Sequence, residues 1–135
     1  MRSKSMVNYY LNDSAIDPAW MDKKAQAAAE SFFSGDRQLA ASQLRKFYGD
    51  VKTLERQWLN SGGDDAAFPA VLPLIKLLKA KANYACKRKV VPDAFRNWLC
   101  EHVDSVNSAR DFRAFALHFE AVVGFSYGCA PANYN

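Results

Sequence analysis

From about residue 42 onward, apolar residues recur at intervals of three and four, the repeat of helices that bury one side. The clearest run is Leu44, Phe47, Tyr48, Val51, Leu54 and Trp58, which predicts a helix over about 42–60. The Ser-Gly-Gly-Asp-Asp that follows reads as a loop. A third helix is expected from Pro69 to about Lys89. A fourth starts at Pro92, with a stripe of Phe95, Trp98, Leu99, Val103 and Val106. A fifth starts at Ser108 in a capping-box-like sequence, with Phe112, Phe115, Ala116, Phe119, Val122 and Val123 on one side. Upstream, Asp17 before Pro18 is a helix start: a side-chain acceptor, then a residue whose missing N–H costs nothing there. That first helix runs through an alanine-rich stretch to Gly35. No strand-like alternation and no internal repeat interrupts the pattern. The fold class expected is all-α, a compact antiparallel bundle of about five helices over 17–127. Residues 1–16 are expected to form a flexible N-terminal segment and 128–135 a flexible tail.

Composition narrows the function classes. The chain has 135 residues, half of them hydrophobic, enough for one domain with a real core. Its longest uncharged run, Ala121–Asn135, has 15 residues broken by Gly124, Gly128 and Pro131, short of the ~20 a spanning helix needs. The start of the sequence has no apolar stretch of signal-peptide length, so the expected location is the cytoplasm. Cys86, Cys100 and Cys129 have neither zinc-knuckle nor redox spacing, and the first two fall on apolar helical patterns.

Charge changes the picture more. Residues 37–92 carry eleven cations and four acids, a net of +7, while the two flanks sum to −3. Residues 66–92 hold Lys76, Lys79, Lys81, Lys87, Arg88 and Lys89 with no acid at all. Ordinary solvated helices mix signs, so this stretch points to a surface facing a polyanion. At 100° per residue, Arg45, Lys52 and Arg56 lie within about 40° of one another, opposite the Phe47–Val51–Leu54 side, and Lys46 sits some 100° away. Lys76, Lys79 and Lys87 share a stripe with Asn83, while Lys81 and Arg88 flank Leu77 and Tyr84. Consecutive helices tend to pack side by side, so the two cationic stripes are expected to line one shared trough that takes RNA or DNA by its phosphates. Tyr48 and Tyr84 border the stripes and are candidates for stacking on a base.

Catalytic chemistry finds no foothold. His102 and His118 lie on different apolar stripes and read as core or edge residues. No carboxylate or cysteine joins either in a metal-ligand spacing, and no glycine-rich phosphate loop is present. No enzyme activity, cofactor or metal is therefore expected.

Three phrases carry a resemblance. Ser42-Gln43-Leu44-Arg45-Lys46-Phe47, then Leu72-Pro73 through Tyr84-Ala85 to Arg88, then Phe112 through Glu120-Ala121 resemble the small subunit of the type III-A CRISPR effector complex over roughly 39–127. The resemblance implies a non-catalytic all-helical subunit, several copies of which stack into a filament beside larger backbone subunits. It implies partners: guide RNA and captured target RNA, whose duplex the subunit steadies through the sugar–phosphate backbone while the guide reads sequence. Target cleavage is implied to belong to a neighbouring subunit. By position, Arg45, Lys46, Lys52 and Arg56 with Lys76, Lys79, Lys81, Lys87, Arg88 and Lys89 are the implied RNA contacts, Lys81 and Arg88 most directly. The sequence departs from the pattern at Ala41, which leaves Ser42 to cap the second helix, and at Cys86, where a small residue is usual.

Two other readings stay open at this stage. One is a helical protein–protein adaptor docking an acidic partner on its basic face. The other is a small DNA-binding regulator, though the third helix opens Pro-Ala-Val-Leu-Pro and offers a base edge nothing polar. Asp93, Glu101, Asp104, Asp111 and Glu120 on the last two helices are candidates to meet a neighbouring copy's basic face.

Overall fold

The computed structural model describes residues 7–134. A four-residue 3-10 turn, Pro18–Met21, leads into α1 (Lys23–Ser31). Then come α2 (Ala41–Asn60), α3 (Phe68–Lys87), α4 (Asp93–Asp104) and α5 (Ala109–Cys129). Among the described residues there is no strand, only an isolated bridge between Tyr10 and Ile16. The five expected helices are present, the first shorter than expected because Pro18–Met21 forms a separate 3-10 turn, and among the described residues no helix is long and apolar enough to cross a membrane.

The fold is organised around α5. Its Phe112, Phe115, Phe119 and Val122 have no exposed surface, and it packs on α1 and α2 while α3 sits between α2 and α4. Removing one such side chain from water is worth about 1.5–3 kcal/mol. The α2 stripe read from the sequence points inward as expected, with Leu44, Phe47, Val51, Leu54 and Trp58 all buried.

Helix ends follow local chemistry in most places. Asp17 accepts from the Ala19 N–H at 2.9 Å, and Ser108 accepts from that of Asp111 at 3.1 Å. The start of α2 differs from expectation. Ala40 occupies the N-cap without any side-chain hydrogen bond, and Ser42 lies inside the first turn. The loop between α2 and α3 needs Gly63, whose φ is +65° and whose N–H closes on the Trp58 carbonyl at 2.9 Å. A side chain there would press on Leu59 at 3.1 Å.

The lead segment, expected to be flexible over 1–16, is seated on the bundle from Val7; residues 1–6 lie outside the described residues. Tyr9 is 2% exposed, with its hydroxyl 2.7 Å from His102 Nδ1. Tyr10 donates to Asp111 and lies 3.7 Å under the Arg110 guanidinium. The Trp20 indole N–H holds the Asn8 carbonyl at 2.9 Å. Large aromatic area in a non-periodic segment has tied it down. At the other end α5 continues to Cys129, and Tyr134 folds back onto Phe33 and Tyr127.

Candidate nucleic-acid interface

The cations singled out from the sequence fall into three groups once the helices pack. On the outer face of α2, Arg45 donates to the Tyr127 hydroxyl of α5 at 3.2 Å. Lys52 pairs with Glu55 at 2.7 Å, and this hydrogen bond raises its pKa. Arg56, on the same face, is exposed and enters none of the ion pairs among the described residues.

On the far flank of α3, Lys76 and Lys79 turn to α4. The Lys76 ammonium donates to the Val103 carbonyl at 2.8 Å and to Asn107 Oδ1 at 3.3 Å. Lys79 forms a short ion pair with Asp104. Both cations sit on the last turn of α4, where unsatisfied carbonyls and the helix dipole favour positive charge. Both tie α3 to α4.

A third group gathers where α2 begins and α3 ends. Lys81 reaches across from α3 to Asp50 of α2 at 3.6 Å. One turn earlier on α2 lies Lys46, and one to two turns later on α3 lie Lys87, Arg88 and Lys89; all four are exposed. None of these four enters an ion pair among the described residues. Tyr84 stands among them with 66% of its surface exposed, and the Arg88 guanidinium carbon lies 5.5 Å from its ring centroid.

Lys89 is unusual in its backbone. It closes α3 with a left-handed φ of +66°, a position that glycine normally fills. The Lys89 N–H bonds the Cys86 carbonyl and the Val90 N–H bonds that of Ala85, both at 3.0 Å, the paired bonds of a Schellman motif. A lysine in this conformation costs roughly 1 kcal/mol relative to glycine. The sequence offered a sign of it only indirectly, in a basic Lys-Arg-Lys run ending against Val-Val-Pro.

One trough shared along both helices is therefore not formed. Arg45 bonds Tyr127 of α5 and Lys52 lies beside Glu120 of α5, whereas Lys76 and Lys79 face α4 on the opposite flank. The reason is that α3 is packed on both flanks, so cations beside its core stripe meet different neighbours. The basic end built from Lys46, Lys81, Lys87, Arg88 and Lys89 remains, with Asp50 as the acid that bridges onto it. Tyr48 takes no part: it is half-buried against Phe119, 5.4 Å between ring centroids.

The histidines lie elsewhere, in an aromatic hub joining the lead segment to α4 and α5. Their rings stack at 4.5 Å, and both are buried. The Trp98 indole donates to His118 Nε2 at 3.1 Å, which leaves His118 Nδ1 to donate to the Trp20 carbonyl. That pattern assigns a neutral ring. Burial depresses the pKa of both histidines, that of His118 to about 4. Among the described residues no group of histidine, cysteine, aspartate or glutamate is arranged to hold a metal ion.

The family model described as Csm2 Type III-A matches residues 16–127. No curated protein and no solved structure matches the chain.

Proposed function

The chain belongs to the Csm2 family, subunits of the type III-A CRISPR complex, and on that premise we propose that it is a non-catalytic RNA-binding scaffold. In this reading several copies stack along the guide RNA–target RNA duplex and hold its ribose-phosphate backbone without reading sequence. The observation that carries it is the unpaired basic end: Lys46, Lys87, Arg88 and Lys89 are exposed, and no carboxylate of the described residues neutralises them. Lys81, tethered 3.6 Å from Asp50, stands at its edge, and Arg56 extends the positive surface along α2. Phosphate contacts of this kind release counterions and position a duplex with no base readout.

Of the five acids that are candidates to meet a neighbouring copy, Glu101 and Glu120 are exposed, and the other three have partners within the chain. Asp93, Asp104 and Asp111 are already engaged, by Cys86 and Arg96, by Lys79, and by Tyr10 respectively.

Anisotropy titration of a labelled guide–target duplex with the full chain tests the proposal. With about three phosphates neutralised, affinity should fall about 30- to 50-fold between 50 and 200 mM salt and should not depend on base sequence. Affinity that stays level over that range, or that follows one base sequence, would remove the backbone-holding role.

A further inference from the structure

We propose that Tyr84, with Arg88 against its ring, is a stacking site for an unpaired nucleobase. The inference rests on the RNA-backbone reading and adds a substrate class to it: RNA with an unstacked base at this end of the bundle, in preference to uninterrupted duplex.

The geometry points this way on three counts. Tyr84 leaves about two thirds of its surface in water, more than any other large apolar side chain among the described residues. An exposed aromatic ring in the last turns of a helix contributes nothing to the core, which α3 makes with Ile75, Leu78, Ala82 and Ala85. Its surroundings are cationic on both sides. At 100° per residue Lys87 lies about 60° to one side of Tyr84, and Arg88 and Lys81 lie about 40–60° to the other. The third count is Lys89, held in a left-handed backbone conformation where glycine would be relaxed, which keeps a further cation in the cluster.

The helix dipole explains cations at the end of α3 but not the tyrosine. Nor is a protein partner the better occupant. An apolar protein surface seated on Tyr84 would have to desolvate Lys81, Lys87 and Arg88 without supplying them acids. A nucleotide offers both halves of the complement at once. Its base presents a π-face to the ring, and the phosphates on either side reach the flanking ammonium and guanidinium groups. Duplex bases stay inside their stack, so Tyr84 gains nothing from them beyond ordinary contact.

The test uses the full-length chain, Tyr84→Ala, Tyr84→Phe, and three RNA probes of equal length. One probe is a single strand with 2-aminopurine at its centre, one is the same strand with an abasic centre, and one is the fully paired duplex. The expected result is that the wild-type chain quenches 2-aminopurine fluorescence. Tyr84→Ala should lose about fivefold or more in affinity for the base-bearing strand while Tyr84→Phe keeps it. Neither variant should change affinity for the abasic strand, and thermal melting should show both folded, since the side chain is exposed. Equal affinity of wild type and Tyr84→Ala for the base-bearing strand overturns the stacking site. So does an equal loss on the abasic strand, and so does a Tyr84→Ala defect confined to binding another protein subunit. A normal salt dependence alongside any of these leaves the backbone reading standing, whereas its absence removes both.

Discussion

The middle and the last turn of α3 carry the same kind of residue and use it in opposite ways. Lys76 and Lys79, midway along the helix, are drawn into the fold, capping a carbonyl and pairing the carboxylate at the end of α4. Lys87, Arg88 and Lys89, at its last turn, have no internal partner among the ion pairs of the described residues and stand in water. The histidine hub resembles the first case, since His118 and Trp98 have their ring N–H groups answered inside the protein. The lesson is that a net charge of +7 over 37–92 does not by itself mark an interface. The proposed interface rests instead on the charges that the fold leaves unanswered.

The contrast can be broken most sharply by charge reversal. Lys46→Glu, Arg88→Glu and Lys89→Glu together should lower affinity for a guide–target duplex by about 100-fold or more at low salt, with helicity by circular dichroism unchanged. Lys76→Met with Lys79→Met should leave that affinity within about twofold. An equal loss from the two sets would erase the distinction between the middle of α3 and its last turn.

The next effect is in acid. Both histidines are held neutral when folded and protonate readily when unfolded, so the unfolded chain binds more protons between about pH 4 and 6.5. Stability should be full above pH 6.5 and fall as the pH drops through that window. His118 alone should account for a loss on the order of 3 kcal/mol. Urea titrations from pH 7 to 4 measure it, and tryptophan fluorescence should report it because Trp20 and Trp98 border both rings. A pH-independent midpoint would mean that the hub tolerates charge.

Lys76→Met should destabilise the chain by about 1–2 kcal/mol, because it removes the donor serving the Val103 carbonyl. Thermal melting would show this as a fall of several degrees. The smallest effect separates stability from function at one residue. Lys89→Gly should raise stability by about 1 kcal/mol by relaxing the left-handed position. The same change should weaken RNA binding about two- to threefold. A variant that gains stability with no loss of binding would assign Lys89 to the fold alone.

Much of this was readable from residues. The stripe from Leu44 to Trp58 fixes a helix because its spacing admits no other period, and Ser108 marks the start of α5 as written. The angular positions of the cations were also legible, but not their neighbours. Whether Lys76 faces α2 or α4 depends on which flank of α3 each helix takes, and helical periodicity is silent on that. The trough expected along both helices failed for this reason. Tyr9 and Tyr10 were missed because they sit in a segment without a repeat, where only tertiary contact with His102 and Asp111 reveals their burial. Ser42 looks like a cap by type, yet the N-cap of α2 is Ala40, two residues before it.

Lysine-reactivity footprinting of the assembled complex, before and after nuclease treatment, tests the central claim most directly. Lys46, Lys87 and Lys89 should be shielded from acetylation while RNA is present and become reactive once it is digested, while Lys76 and Lys79 keep the same low reactivity throughout. Full reactivity at Lys46, Lys87 and Lys89 in the RNA-loaded particle would contradict the assignment of this end of the bundle to the ribose-phosphate chain.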